Sequence, residues 1–235
     1  GVSEGNINSE RLIQMMNVQD DCLVIEEKGI YSVEKFLVAR RLMYWQAYLH
    51  KTGVVAELIL TKILKRAKEL SQKGNILNCS KPLNFFLNNK ISLDDFNKSI
   101  LEKFALLDDY DVMGAIKEWQ FHDDFVLGSL CKMILNRDLL KIQMVNDKPN
   151  KESLLGYKNN YMRLHNLTEK EVGYFVFKGK IKNQAYSKVD EPIRILKKDK
   201  TVEDVVDASD QLNLKALSKP VTKYFICFPK VVLEA

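Results

Sequence analysis

The chain has 235 residues, of which 46% are hydrophobic and 29% are charged, an ordinary composition for a globular protein. Its net charge of +5 suits an anionic ligand, but lysines spread along the whole chain are more typical of a solvated surface than of nucleic-acid binding. No apolar run approaches the roughly eighteen residues of a membrane span, and the four cysteines follow no metal-binding spacing. We therefore expect a cytoplasmic protein with buried, reduced thiols and with no membrane or nucleic-acid partner.

The first part of the chain is predicted to be helical. Apolar residues recur there every three or four positions, which is the spacing of amphipathic helices. The predicted elements are a helix over 6–17, a strand over 22–26, a long helix over 31–70 that bends at Gly53, a loop-rich segment over 75–90, and helices over 92–105, 111–120 and 123–135.

A polar, proline-bearing linker over 145–150 precedes a region of different character. This region is predicted to contain a helix over 151–164, a short helix capped by Thr168 and Glu171, and strands over 174–177, 193–196 and 224–228. The lysine-rich runs near 178–200 are predicted to be solvated strand edges. The sequence thus predicts a mainly α-helical protein, with a helical part over 1–145 and a smaller α+β lobe over 146–235.

Four side chains of the long helix are the main candidates for ligand binding. On a regular helix, Arg40, Tyr44, Tyr48 and Lys51 fall on nearly one face, which offers a planar guanidinium, two rings and an ammonium. Arg40 and Tyr48 are separated by about 12 Å along such a helix, close to the length of an extended nucleoside triphosphate. The same spacing also fits tyrosines at the edge of a core beside a solvated arginine. No glycine-rich phosphate loop is present as an alternative.

The long helix carries the motif R-x7-Y-x-H-K-x-G, whose fixed positions are Arg40, Tyr48, His50, Lys51 and Gly53. This motif resembles the long helix of HD-domain phosphohydrolases, in particular the deoxynucleoside triphosphate triphosphohydrolases and uncharacterised bacterial members. Shorter pieces resemble the family in the same order, namely GVS at 1–3 with Asn8 and Arg11, NRDLLK at 136–141, and EPI at 191–193. The resemblance is dense over 1–70 and thin beyond 145.

By this resemblance, Arg40 binds the terminal phosphate of a nucleoside triphosphate, and Tyr48, with Tyr44 beside it, packs on the sugar or base. Leu49 stands where the dNTP hydrolases have a glutamine near the base, so the base preference stays open. A second set of basic residues corresponds more loosely to positions that contact an activating nucleotide between subunits: Arg11, Lys28, His50 and Lys51. The resemblance also implies a homodimer or homotetramer.

Family members bind a divalent metal (Mg, Mn, Fe or Zn) through a histidine, an adjacent His-Asp pair and a distant aspartate, all of which the resemblance places before residue 1. His122 and Asp123 spell the dipeptide, but they lie in a predicted late amphipathic helix. The other histidines, His50 and His165, are far away in sequence. We therefore predict no metal ligand and no catalytic residue here. We expect the chain to be the C-terminal portion of an HD phosphohydrolase and to be inactive alone.

The principal hypothesis is hydrolysis of (deoxy)nucleoside triphosphates to nucleoside and triphosphate by the parent enzyme. The alternative is a non-catalytic helical module for oligomerisation or interaction, in which the aromatic residues lie in an interface. Self-association is also predicted from apolar residues that the long helix places on more than one side, namely Leu37, Tyr44, Trp45, Val55 and Leu58. Binding of RNA or single-stranded DNA is the weakest hypothesis, because the aromatic residues do not alternate with lysines.

Overall fold

The computed structural model describes residues 6–150, 152–189, 192–210, 214 and 219–233, and it confirms a mainly α-helical protein with a smaller α+β part. The helices are α1 (Ser9–Gln14), α2 (Ile30–Met43), α3 (Lys51–Ser71), α4 (Lys81–Asn88), α5 (Lys98–Ala105), α6 (Asp109–Trp119), α7 (Phe125–Leu135), α8 (Glu152–His165), α9 (Glu169–Val172) and α10 (Val205–Ala208). The strands are β1 (Met16–Gln19), β2 (Cys22–Glu26), β3 (Lys141–Val145), β4 (Phe177–Asn183), β5 (Arg194–Leu196), β6 (Val202–Asp204) and β7 (Val221–Phe228). None of the described helices combines the length and apolar character needed to span a bilayer.

The chain divides into two compact units that alternate along the sequence. We call the first, Gly1–His50 with Val145–Asp147 and Gly179–Tyr224, the sheet unit. The second, Lys51–Met144 with Lys148–Lys178 and Phe225–Ala235, is called the helical unit. The two-domain division at residues 145 and 146 remains a prediction.

The sheet unit contains a four-stranded sheet in the order β1-β2-β5-β6. Strands β1 and β2 form an antiparallel hairpin, and β2 runs parallel to β5. Helix α2 contributes to one apolar core with this sheet, built from Ile25, Ile30, Val33, Leu37, Tyr186, Ile195, Val205 and Leu214. A second sheet has the order β3-β7-β4.

The prediction of one long helix bent at Gly53 is wrong. Helix α2 ends at Met43, and a π-helical turn follows over Tyr44–Tyr48. The amide of Leu49 donates to the carbonyl of Tyr44 at 2.7 Å, which is the i→i−5 bond of such a turn. The backbone then leaves the helix at Leu49 and His50 before α3 begins. The lysine predicted to share a face with Arg40 therefore starts a different helix.

In the helical unit, α3 packs against α4 and α7, and α7 packs against α6. The core consists of side chains with almost no exposure, among them Ile59, Ile63, Ile116, Trp119, Leu127 and Leu130. Leu37 and Val55, which the sequence placed on exposed faces, are instead buried in their respective units. The apolar residues of the long segment thus give less support for self-association than predicted.

A buried ionic cluster joins three helices of the helical unit. The Arg66 guanidinium donates from Nε to Asp124 Oδ1 at 3.0 Å and from Nη2 to Asp124 Oδ2 at 2.5 Å. Glu69 and Glu171 lie 3.5 and 3.6 Å from the same guanidinium. Asp124 also accepts from the amide of Leu127 and so caps the start of α7. One arginine therefore connects α3, α7 and α9.

Several shorter elements differ from the prediction. The segment predicted as a loop contains α4, which Ser80 caps and in which Pro82 lies in the first turn, where its missing amide hydrogen costs little. Ser92 and Asp95 hydrogen-bond in an isolated turn, and α5 starts only after its cap Asn97. Strand β1 replaces the end of the first predicted helix.

The C-terminal strands also shift in position. The strand predicted over 174–177 begins at Phe177 and continues to Asn183. Its lysines occupy alternate, exposed positions on a strand at the edge of its sheet, as expected for protection of an unpaired edge. All four cysteines are free; Cys131 and Cys227 are buried as predicted, while Cys22 and Cys79 are partly exposed.

Candidate functional site

Arg40, Tyr44 and Tyr48 lie together on the sheet unit. The Arg40 guanidinium carbon is 5.8 Å from the centre of the Tyr44 ring, and the Tyr44 and Tyr48 ring centres are 5.2 Å apart at an interplanar angle of 47°. The Tyr48 side chain is 66% exposed, so its ring is available to a ligand. The interruption of the helix leaves these three predicted residues in one group, since the π turn keeps the two rings in contact.

These residues border a small apolar cavity of about 270 Å³. Its lining comes from α2, the π turn and the segment before α1: Ile7, Phe36, Ala39, Arg40, Met43, Tyr44 and Tyr48. Phe36 and Arg40 are four residues apart on α2, and so are Ala39 and Met43, which places all four on neighbouring rows of the helix surface. The cavity thus combines three aromatic side chains with one cationic group.

Phe36 and Arg40 also line a larger neighbouring cavity of about 580 Å³. Its other walls come from a distant part of the chain, namely Gln184, Ala185, Tyr186, Ser187, Pro192 and Ile193. The sequence did not identify these residues, since nothing in their local pattern connects them to a helix more than 140 positions earlier. Arg40 is therefore the cationic residue common to both cavities.

The other predicted basic residues do not join this group. Lys51 is exposed and starts α3 in the helical unit, and His50 is exposed in the preceding break. Arg11 donates from Nη2 to the backbone carbonyl of Lys28 at 3.4 Å, so two of the proposed effector residues do meet. Lys28 lines a separate cavity of about 240 Å³ of mixed charge, together with Glu26, Glu27, Leu196, Lys197 and Lys198. The run that contains these last two lysines had been predicted to be a solvated edge.

The described residues do not supply a metal site. Among residues 6–150, 152–189, 192–210, 214 and 219–233, no group of three His, Cys, Asp or Glu side chains could hold an ion. His122 lies between α6 and α7, outside the helix in which it was predicted, and its Nδ1 accepts from the amide of Asp124 at 2.9 Å. Asp124 itself is bound to Arg66. This His-Asp dipeptide is therefore part of a helix junction.

Part of this chain matches a known family model, and the chain is similar to known proteins in sequence and in structure. Residues 7–78 match the family model of the HD associated region, and this segment contains Arg40, Tyr44 and Tyr48. The uncharacterized protein YwfO of Bacillus subtilis is 36% identical over 154 residues, which cover 65% of this chain and 33% of that protein. A crystal structure of a phosphohydrolase from Bacteroides thetaiotaomicron superposes with a TM-score of 0.88 at 44% identity, covering 97% of this chain and 57% of that one.

A hypothetical protein from Aquifex aeolicus shares the fold, with a TM-score of 0.58 and 20% identity over all of this chain and 51% of that one. Residues 7–78 are thus similar to the HD associated region, and the described fold is similar to that of a phosphohydrolase. The chain spans about a third of the curated relative and little more than half of the phosphohydrolase chain.

Proposed function

We propose that this chain acts as the C-terminal portion of a metal-dependent HD-type phosphohydrolase that converts (deoxy)nucleoside triphosphates to nucleoside and triphosphate. The observation that carries the proposal is the contact series from Arg40 through Tyr44 to Tyr48, which lies within the segment that matches the HD associated region. A cationic fork beside two rings provides contacts of the kind that a phosphorylated aromatic ligand needs.

In this proposal, Arg40 binds the terminal phosphate, because its planar guanidinium can donate two parallel hydrogen bonds to phosphate oxygens. Tyr48 packs on the sugar or base, and Tyr44 supports both through its ring contacts. The divalent metal (Mg, Mn, Fe or Zn) that HD-type enzymes use is not assigned to this chain, because the described residues offer no fitting set of ligands. The chain contributes substrate contacts and no catalytic group.

A nucleotide effector and a homodimer or homotetramer belong to the same proposal. The proposed effector contacts are those that the resemblance implies: Arg11 and Lys28 meet through a hydrogen bond, and His50 and Lys51 are exposed. The cavity at Lys28 carries the two carboxylates of Glu26 and Glu27 beside its three lysines, so its charge alone does not select an anion. Light scattering on the full-length protein, with and without nucleotide, tests the assembly; a monomer under both conditions would contradict it. A helical oligomerisation module without nucleotide binding is the second candidate, supported by the exposed Tyr48 ring.

The decisive experiment incubates the full-length protein and the 235-residue chain separately with dNTPs and Mn²⁺ and analyses the products by ion-exchange chromatography. We expect chelator-sensitive release of inorganic triphosphate from the full-length protein only, since no described group of this chain can hold the metal that activates water. Triphosphate release by the short chain would disprove its inactivity. Release of orthophosphate alone by the full-length protein would contradict the proposed reaction.

A further inference from the structure

The π turn that carries Tyr44 and Tyr48 is connected to a distant strand by a cation–π contact. Lys223 Nζ lies 4.1 Å from the centre of the Trp45 ring. Trp45 is the second residue of the turn, and Lys223 is the third residue of β7. An ammonium at this distance from an indole face is attracted by the negative charge of the ring, and tryptophan gives the strongest attraction of this kind. Both residues belong to the sheet unit, so the contact lies within one compact part of the chain.

Trp45 and Lys223 are separate from the cavities that the turn borders. Trp45 is half-buried, and it is not among the described lining residues of either cavity beside Arg40. Lys223 is exposed and does not belong to the described lining either. These two residues therefore act on a ligand through the position of the turn and not by touching the ligand.

The geometry of the two tyrosine rings depends on the backbone of the turn. Tyr44 and Tyr48 are 37% and 66% exposed, so only part of each ring packs against the protein. A π turn is a rare departure from the regular helix, and the backbone leaves the helix altogether at Leu49 and His50. A contact that ties the turn to a β-strand reduces the conformations open to the turn, and this lowers the entropy lost when a ligand binds.

We propose that Lys223 is a positioning residue for the ligand site. Its ammonium holds the indole of Trp45, and Trp45 holds the π turn in the arrangement that presents Tyr44 and Tyr48 to a nucleoside. The inference rests on the proposed function in taking a nucleotide as the ligand. It adds to that function a residue outside the HD associated region, on a strand near the other end of the chain.

Calorimetric titration of the whole 235-residue chain with a dNTP tests this role. Lys223→Gln removes the charge and should weaken dNTP binding about two- to five-fold, the range that corresponds to an exposed cation–π contact. Lys223→Arg keeps a cation over the indole and should restore the binding of the unmodified chain. Lys180→Gln removes an exposed lysine from β4 in the same unit and should bind normally. Thermal melting confirms that each variant is folded.

A second titration, with inorganic triphosphate, separates the positioning of the rings from a general loss of positive charge. Lys223→Gln should leave triphosphate binding unchanged, because the proposed phosphate contact is Arg40 and not the rings. Trp45→Leu should weaken dNTP binding at least as much as Lys223→Gln does. Adding Lys223→Gln to Trp45→Leu should have no further effect, because both changes break the same contact.

Acrylamide quenching of tryptophan fluorescence measures the contact without any ligand. The chain has two tryptophans, and Trp119 is only 2% exposed, so the quenching reports mainly on Trp45. Lys223→Gln should increase the quenching, because an uncharged side chain is no longer attracted to the indole face. Lys180→Gln should leave the quenching unchanged.

The outcomes distinguish this inference from the proposed function. Equal dNTP binding by the folded Lys223→Gln variant, unchanged quenching, or failure of Lys223→Arg to restore binding would overturn the inference and leave the proposed function intact. An equal loss of dNTP and triphosphate binding would also overturn it, because long-range charge would then be the cause. No dNTP binding by the unmodified chain at millimolar concentration would instead remove the nucleotide site itself, and the inference with it.

Discussion

The guanidinium of Arg40 lies where two cavities adjoin, and its geometry makes a specific demand on the side chain. A lysine at this position keeps the charge but loses the planar, bidentate donor set. If the proposed function holds, we expect Arg40→Lys to lower kcat/KM of the proposed parent enzyme by an amount that corresponds to about 1–3 kcal/mol of transition-state stabilisation. Steady-state kinetics with a dNTP, at matched melting temperatures, measure the effect.

The neighbouring Arg41 provides the matched control. It lies roughly 100° around α2 from Arg40 and lines neither cavity. Lysine and arginine have similar helix propensities, so both substitutions should leave the helix intact. Equal activity of Arg40→Lys and Arg41→Lys would remove Arg40 from the phosphate site and favour a surface role for this arginine.

Arg66 represents the opposite situation, a charge whose role is structural. Burial alone would raise the pKa of Asp124, but hydrogen bonds from Arg66 and from the Leu127 amide outweigh it and hold the pKa below its usual value. Arg66→Ala removes the guanidinium from this partly buried carboxylate, which keeps the hydrogen bond from the Leu127 amide, and should lower the free energy of unfolding by about 1.5–3 kcal/mol. Lys65→Ala, on the exposed side of the same helix, should change it by less than about 0.5 kcal/mol.

The stability difference between Arg66→Ala and the unmodified chain should depend on pH, because the pKa of Asp124 is lowered in the folded state. A carboxyl with a lowered folded pKa stabilises the protein fully above its unfolded pKa of about 4, and this stabilisation is lost as the pH falls through the folded value. The difference in the free energy of unfolding between Arg66→Ala and the unmodified chain should therefore become smaller below about pH 4. Urea unfolding at pH 7 and at the lowest pH that preserves folding measures it; a constant gap would argue against the ion pair as its cause.

At the scale of elements, two glycines should respond oppositely to the same substitution. A Cβ on Gly29 would lie 2.8 Å from Ile25 Cγ2 and 2.8 Å from Met15 Cβ, closer than packed atoms tolerate. Gly29→Ala should therefore cost about 1–3 kcal/mol of unfolding free energy. Gly53 lies in α3 with no atom within 4 Å of such a Cβ, so Gly53→Ala should stabilise by about 0.5–1 kcal/mol.

Chemical unfolding of the two alanine variants checks this pair. The comparison also tests the corrected helix geometry, because a bend at Gly53 would require the glycine and make Gly53→Ala destabilising. A loss of stability in Gly53→Ala would therefore restore the predicted bend and contradict the regular helix seen from Lys51 onward.

The sequence correctly predicted those helix ends that depend on residues close together in the chain. The capping box of Thr168 and Glu171 forms as expected, because both partners lie within one turn. The end of α2 escaped prediction because no proline or glycine marks Leu49 and His50, and the spacing of Tyr44 and Tyr48 also fits a regular helix. The helix after Ser80 was missed because asparagines and Pro82 resemble a loop in composition, although a proline in the first turn suits a helix.

The candidate site also contains residues that a local sequence pattern predicts and residues that only the fold brings together. Arg40, Tyr44 and Tyr48 follow one another every four residues, so helical spacing alone brought them together. Lys51 was wrongly added to their face, since the helix break separates it from them. Gln184 and Ser187 reach Arg40 only through the fold of the sheet unit. A periodic pattern has no means of predicting such long-range contacts.

For the whole molecule, buried thiols and phenols determine the behaviour at high pH. Burial raises the pKa of Cys131, Cys227, Tyr161 and Tyr186 to about 12 in each case. These groups ionise in the unfolded chain at about pH 8.5–10, while the folded chain still keeps them neutral. Their contribution to stability is therefore complete below the unfolded pKa values and is lost as the pH rises toward 12.

The partly buried Lys62 has the opposite effect on the stability at high pH. Burial and the neighbouring Lys65 lower the pKa of Lys62 to about 8, although Cys227 opposes this shift. The charged ammonium therefore destabilises the folded chain below about pH 8, and this destabilisation disappears as the pH rises to about 10.5. The two thiols and two phenols lower the stability as the pH rises, and together they outweigh the opposite effect of Lys62. The free energy of unfolding should therefore fall between pH 9 and 11, by up to about 1.4 kcal/mol per pH unit for each ionising group. Urea titrations at pH 7.5, 9 and 10.5 measure the slope.

Cys131→Val isolates one of these contributions. The variant removes one buried acid, so its stability should decline less steeply with pH than that of the unmodified chain, whatever the change at neutral pH. Identical slopes would show that the pKa of Cys131 is the same in the folded and unfolded chains, which would contradict its increase on burial.

The alternation of the two units along the chain determines how this protein can be taken apart and how it is made. The backbone passes from one unit to the other five times, and the helical unit takes its last segment from Phe225–Ala235. A continuous gene fragment that encodes the whole sheet unit must span residues 1–224, and one that encodes the whole helical unit must span residues 51–235. On the ribosome, the helical unit cannot assemble fully until this last segment has emerged from the exit tunnel. Deletion libraries should accordingly show a sharp loss of soluble protein for any truncation before residue 225.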